Sequence, residues 1–499
     1  PCDARIGRFC YWSDTTDTVL PAEPAGIRQR RERLLAVLDS AAHTLPGDAW
    51  VAGQRVRYLL EAGLPDSAAA AAQACRATAW WCAALEGLAW HVAQDFEDAD
   101  LSFEAALQAM PEEERCRWTD LSDLLEGQMW RSYHKLSCAE RQGVNARVWW
   151  LAQPLWWMPG NDRRTEHYAR VTMVRLLEDA SSPYGPWGED ERELIMRYGW
   201  PLAWVREDRG DTHEPVAIGL EAEPGWHFLP DNRALDTPPP GDEPGALDER
   251  GALERYAPAY ARAFTLLEPD FAAFRRGDST LVVATWDVAG DKAFRSSTYA
   301  AALVLAHDER SRPVVIFQSD TGSTGVLAGE APWNPALLSL ELYAPGSRAV
   351  VRARGAPPAG DAALSGVLLF DPAESLPADL PAALARVHAG GIPVGRRIGL
   401  YWEAYGFSPR EDVPTAVTVT AAHRSWLRRL ASALGLAPKP GGVRLEWHET
   451  MQPTQGRLSR ALVLDLTALR AGRYRVEVTM SPPGRASVTS SRALLVHER

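Results

Sequence analysis

The 499-residue chain has no cysteine beyond Cys138, no excess of positive charge, and no apolar run approaching the roughly 18 residues that cross a bilayer. The last absence excludes a membrane-spanning helical segment. A formal net charge of −12 gives no overall attraction for polyanions, so no nucleic acid partner is expected. The layouts that announce common chemistry are missing too. A zincin helix needs a second His four residues after the first, but His213-Glu214 leads to Ala217 and His448-Glu449 to Gln452. A nucleophile elbow around Ser323 needs Gly where Thr321 stands. Walker and GxGxxG loops are lacking, and no CxxC is present to hold zinc or cycle a disulfide. No catalytic residue, metal or cofactor is expected.

What is present is a soluble globular composition, 46% hydrophobic and 24% charged, with 38 Gly and 37 Pro to punctuate it. The length implies about three or four domains. Residues 1–24 form an N-terminal segment in which Cys2 and Cys10 are a candidate disulfide staple. All six cysteines lie in the first 138 residues, and disulfides and free thiols both remain open for them. Pro1 in place of Met suggests that a segment was removed upstream, by a signal peptidase or by trimming, and the first of these makes export an expectation.

Residues 25–143 are rich in Ala, Leu, Glu and Arg, with apolar residues three and four apart, and are expected to be helical. Gly87, Trp90, Ala99, Phe103, Ala106 and Pro111 fall at the relative offsets of a tetratricopeptide repeat, so the segment is read as TPR-like helical repeats. The segment 144–221 is dense in tryptophan and forms a Trp-rich α/β module: Trp149, Trp150, Trp156, Trp157, Trp187, Trp200 and Trp204. Within it, residues 162–179 predict an amphipathic helix with Tyr168, Val171, Val174 and Leu177 on one face, and residues 189–196 a short helix or strand.

Residues 222–264 carry the Pro, Gly and acidic residues of a linker, ending in a brief helix over 252–264. Short alternating runs separated by turn residues then predict two antiparallel Ig-like β-sandwiches, 265–370 and 371–499, the second interrupted by a helix or insertion at 424–434.

The run from Trp149 through Pro154, Trp156-Trp157, Gly160, Arg163-Arg164 and Glu166-His167-Tyr168 to Arg170 resembles bacterial GWxTD-domain proteins, as does Leu194-Ile195-Met196-Arg197-Tyr198-Gly199. The ending from Leu466 through Gly472-Arg473-Tyr474 to Val478 is similar to the β-sandwich tails of that family. The resemblance implies export, association with the cell envelope, helical repeats in some members and no established catalytic activity. Gly199-Trp200-Pro201 lacks the Thr-Asp that names the family.

The candidate binding residues are Trp149, Trp150, Trp156, Trp157, Arg163, Arg164, Glu166 and His167. Flat indole rings suit a carbohydrate platform or a protein hot spot, and equally core filling. Glu166 beside His167 is the pattern of a tuned general base, and equally of ion pairs that fix a helix. The sequence therefore points to a non-catalytic exported scaffold in a periplasmic or extracellular assembly, with other proteins as partners. Glycan or peptidoglycan binding by the Trp-rich module is the alternative, and a hydrolase the third reading.

Overall fold

Helix starts in the front half are marked by side chains that satisfy the N–H groups of a first turn. Asp48 accepts from Val51 N at 2.9 Å, Asp95 accepts from Asp98 N at 3.1 Å, and Ser137 with Glu140 makes a reciprocal capping box. The computed structural model describes residues 2–7, 9–12, 20–178, 180, 188–207, 216–220, 225–230, 253–268, 270–295, 298–357, 363–421, 443–454 and 456–498. Residues 424–434, residues 181–187 with Trp187, and most of the expected linker lie outside them. The chain divides into two compact units, residues 1–262 and 263–499, the first largely helical and the second largely β-sheet.

The first unit begins with a hairpin of β1 (Ala4–Ile6) and β2 (Phe9–Tyr11). The helices follow as α1 (Ala25–Thr44), α2 (Ala49–Glu61), α3 (Pro65–Gln73), α4 (Ala79–Val92), α5 (Phe96–Ala109), α6 (Glu112–Trp118), α7 (Gly127–Tyr133), α8 (Cys138–Ala152), α9 (Asp162–Glu178) and α10 (Glu189–Tyr198). A hairpin of β3 (Ala203–Glu207) and β4 (Val216–Leu220) comes last.

The main core of this unit gathers Val56 of α2, the Ala68–Ala72 face of α3, Trp81, Leu85 and Leu88 of α4, and Phe103 of α5 against Tyr168, Met173 and Leu176 of α9. Gly87 permits the close approach of α4 to α5, because a Cβ there would lie 2.9 Å from the Phe103 ring. α8 runs without a break through the expected boundary between residues 143 and 144. All six cysteines are paired: Cys2–Cys10, Cys75–Cys82 across the α3–α4 turn, and Cys116–Cys138 between α6 and α8. Their Cα separations of 5.5, 5.6 and 5.7 Å lie in the range such bonds need.

The second unit contains β5 (Ala263–Leu266), β6 (Phe271–Arg276), β7 (Ser279–Asp287), β8 (Tyr299–Ala306), β9 (Val314–Asp320), β10 (Thr324–Ala331), β11 (Leu337–Ala344), β12 (Ala349–Gly355) and β13 (Leu368–Phe370). After α11 (Leu380–Leu384) come β14 (Ile392–Pro393), β15 (Arg397–Tyr405), β16 (Asp412–Ala421), β17 (Val443–Thr450), β18 (Arg457–Asp465), β19 (Gly472–Met480) and β20 (Val488–His497).

A three-stranded sheet ordered β10-β7-β6 and a five-stranded sheet ordered β5-β12-β11-β8-β9 enclose one apolar cluster around Trp286, Leu303, Leu340 and Val351. The sheets β13-β15-β18 and β14-β20-β19-β16-β17 enclose another around Trp402, Val417, Val476 and Leu494. A third cluster unites the two sheet pairs, because β6 turns Ala273 into the first core and Ala272 and Phe274 toward Leu368, Phe370 and Tyr401. Arg276 grips Glu403 with two bonds of 2.6 and 3.0 Å beside it.

Two local expectations are corrected. Residues 253–262 are not helical: Pro258 supplies no backbone donor, Tyr256 pairs with Trp226 as an isolated antiparallel bridge, and residues from Ala263 onward form β5. The α9 segment is helical as expected, but its burial is not one-sided. Twelve of its seventeen residues are buried, among them Asp162, Arg163, Glu166, His167 and Arg170.

Candidate functional site

Gly160 and Asn161 fix the start of α9. Gly160 adopts φ +75°, and a Cβ on it would lie 2.2 Å from the Phe96 carbonyl oxygen, so both conformation and space demand glycine. Asn161 caps the helix, its Oδ1 accepting from Arg164 N at 3.0 Å, while its Nδ2 donates to the Trp149 carbonyl at 2.8 Å. Gly160→Ala is expected to lose about 2–3 kcal/mol of stability, since the clash is with backbone that cannot rotate away. Urea unfolding followed by tryptophan fluorescence checks this, and an unchanged midpoint would show that the turn relaxes freely.

The polar side chains of α9 diverge around its circumference to partners far away in sequence. Arg163 is fully buried, donates to Glu254 at 2.6 Å, and places its guanidinium 5.3 Å from the Trp149 ring centroid and 5.8 Å from that of Tyr256. Glu254, also fully buried, engages His227 Nδ1 at 2.9 Å and accepts the backbone N–H groups of Phe228 and Leu229 at 3.1 and 3.4 Å. Burial works to raise the Glu254 pKa, but Arg163 and His227 outweigh it and hold the carboxyl well below the usual range.

One turn along, Glu166 accepts from Arg170 Nε at 2.6 Å and engages His91 Nε2 at 2.7 Å. Its pKa is likewise held below the carboxylate range, the pull of Arg170 and His91 exceeding the burial penalty. The rest of the Arg170 guanidinium donates to the carbonyls of Met196, Arg197 and Arg255 at 3.1, 2.8 and 2.7 Å.

Asp162 accepts from the Tyr256 and Tyr260 hydroxyls at 3.0 and 3.1 Å, and burial pushes its pKa up to about 6 despite them. His167 Nε2 meets the Trp118 carbonyl at 3.2 Å and therefore carries the donated proton; burial, then the Arg163 charge, push its pKa down to about 3. Arg164 is the least buried of these groups and pairs with Asp100 at 2.8 Å.

This geometry separates Glu166 from His167, the pair whose adjacency suggested a general base. Consecutive helix residues point about 100° apart, and each of the two has its own partner on a different element. A chain of contacts does run from Thr165 Oγ1 through His91 to Glu166, at 2.9 and 2.7 Å. The Thr165 hydroxyl is already spent on the Asp162 carbonyl at 3.1 Å, however, and all three side chains are buried. Among the described residues no group of three His, Cys, Asp or Glu is arranged to hold a metal ion.

The tryptophans divide likewise. Trp149 is buried with its ring 5.0 Å from His167, and Trp156 is buried with its indole N–H on the Trp150 carbonyl at 2.7 Å. Trp150 and Trp157 are half-buried. Trp150 stacks on Trp156 at 5.2 Å and 3°, and the Arg147 guanidinium also lies against it, 5.5 Å from its ring centroid.

The structure thus brings Trp149, Arg163, Glu166 and His167 into one buried network and leaves Arg164 and the Trp150–Trp156 stack at its margin. Sequence reasoning did not single out His91, Asp162, Arg170, His227, Glu254, Tyr256 and Tyr260. Only Glu166 and Arg170, four apart on one helix, left a local signal.

No family model matches the chain, and no curated protein matches it. Solved structures similar to part of it include a red sea bream transglutaminase, 10% identical over 47% of this chain and 32% of that one, with a TM-score of 0.16. A tetra-tandem repeat from the extending region of a large adhesion protein is 13% identical over 46% of this chain and 50% of that one, also with a TM-score of 0.16. The chain spans about a third of the first and half of the second, and likenesses at this level carry no argument about fold or activity.

Proposed function

We propose that this protein is an exported, non-catalytic scaffold that binds other proteins of a cell-envelope or extracellular assembly. In this reading the front helices are TPR-like repeats, residues 144–221 a GWxTD-like module, and the sheet pairs Ig-like sandwiches. The observation that carries the proposal is the fate of the α9 polar groups. Apart from Arg164, the ionisable side chains that stood out beside the tryptophans are buried, and their charges answer one another inside the fold. Buried ion-pair networks perturb pKa values without performing chemistry. Three disulfides support an oxidising compartment.

Glycan binding has less support, because Trp149 and Trp156 are buried and Trp150 is flanked by Trp156 and Arg147. Protein binding has large exposed apolar side chains to work with on the helical unit, including Trp50, Leu101 and Trp130.

The test is affinity capture of the tagged protein from its native envelope fraction, beside a variant carrying Trp50→Ser, Leu101→Ser and Trp130→Ser with unchanged circular dichroism. A defined set of near-stoichiometric proteins, depleted by the variant, is the expected result. A protein that emerges alone from both preparations would overturn the scaffold reading.

A further inference from the structure

β9 closes one side of the five-stranded sheet and, among the described residues, hydrogen-bonds only β8. An edge strand presents a row of backbone donors and acceptors to any strand that arrives, and chains that stay apart blunt such edges with charge, brevity, proline or a bulge. This chain does so elsewhere. β17, the edge of the other five-stranded sheet, carries Arg444, Glu446, His448 and Glu449, while β5 and β14 are only four and two residues long. β9 is seven residues long, Val-Val-Ile-Phe-Gln-Ser-Asp, with no charge before its last residue. Val314 and Ile316 turn toward the core, while Val315 and Phe317 on the other face are 42% and 53% exposed.

We infer that β9 is a homotypic docking edge, pairing antiparallel with β9 of a second copy of this chain about a two-fold axis at Ile316. The sequence around the strand is self-complementary in that register. Antiparallel partners then sum to twice 316, so Val315 of each copy lies opposite Phe317 of the other and Arg312 opposite Asp320. Arg312 is exposed and makes no ion pair among the described residues. The Asp320 carboxylate is pre-oriented by the backbone N–H groups of Thr321 and Gly322, at 2.7 and 2.9 Å. A shift of two residues in one direction sets Phe317 against Pro313, Val315 against itself and Arg310 against Asp320, and in the other sets Asp320 against Val314, so only the register centred on Ile316 pairs Val315 with Phe317 at both ends while keeping an arginine opposite Asp320. Two five-stranded sheets thereby become one continuous sheet, and the edge disappears. This inference is independent of the scaffold reading above.

A single strand pair with four flanking contacts is smaller than a standard stable interface, so the dimer is weak, with a Kd of about 10–100 μM. Sedimentation of the full chain across that range is expected to show a monomer–dimer equilibrium. Phe317→Lys, at a position 53% exposed, should weaken it about tenfold or more with the circular dichroism of the chain unchanged.

The register has its own readout. A mixture of Val315→Cys chains with Phe317→Cys chains should oxidise to a covalent dimer far more readily than either variant alone, because only unlike positions lie opposite. Two results would overturn the inference. One is a chain that stays monomeric throughout the range, which would leave the edge to an extended segment of some other protein. The other is a dimer indifferent to Phe317→Lys with no cross-linking preference, which would place the interface elsewhere.

Discussion

Arg163→Met is expected to destabilise the helical unit by about 3–5 kcal/mol, the usual cost of removing one partner from a buried ion pair. Methionine matches much of the volume, so the loss comes chiefly from what is left behind. Glu254 would keep its contact with His227 and its two backbone donors but lose the charge that lies 2.6 Å away, at a site with no solvent exposure on either side. The Trp149 and Tyr256 rings would also lose the cation they flank.

Combining Arg163→Met with Glu254→Gln separates these contributions. The neutral amide no longer carries an unpaired charge, so the double variant should recover a substantial part of the loss. Guanidinium unfolding, read on the helical circular dichroism signal, measures both. A single-variant loss below about 1 kcal/mol would mean that water or a rearranged partner reaches Glu254, and that the network is not the structural centre of the unit.

The same network explains what the sequence made legible. Regular alternation announced the longer strands from β7 onward, β10 excepted, because one side-chain face of a strand is recorded in every second residue. β15 and β19, for example, cover the expected strand runs Ile398–Tyr405 and Tyr474–Met480, with β15 starting one residue earlier and β19 two. The strands that escaped notice had weaker patterns: β10 is Thr-Gly-Val-Leu-Ala-Gly-Glu-Ala, with two glycines, and β13 has only three residues.

α9 was legible as a helix but not as the centre of the helical unit. A polar residue on a helix reads as solvent-facing unless its partner is visible, and the partner of Arg163 lies 91 residues away in a stretch with linker composition. His91 stands 75 residues before Glu166 and looks, in its own helix, like one more residue beside Trp90. The tryptophans were conspicuous by type, yet their burial depended on which helix reached them.

Acid is expected to unfold the helical unit abruptly below about pH 4.5 after a nearly flat interval above it, and the reason lies in four buried groups. His167 is pushed down to about 3 from its ordinary 6.5, so the unfolded chain takes up this proton first, and the stability it contributes is lost as pH falls from 6.5 toward 3. Asp162 is pushed up to about 6 from 3.8, so the folded chain takes up that proton first, and stability is gained as pH falls from 6 to 3.8.

Each proton changes stability by about 1.4 kcal/mol per pH unit, so these two groups cancel between pH 6 and 4.5. Below the ordinary value of 4.5, Glu166 and Glu254 join His167, since both are held ionised in the fold and protonate readily when it opens. Below 3.8 Asp162 no longer opposes them, and the slope approaches about 4 kcal/mol per pH unit. Asp162→Asn removes the compensating group, so its stability should already decline between pH 6 and 4.5, where the parent protein holds level. Denaturant midpoints measured from pH 7 to pH 3.5 on both proteins decide the matter: superimposable profiles would remove Asp162 from the balance, and a parent protein that gains stability below pH 4.5 would reverse the roles assigned to Glu166, Glu254 and His167.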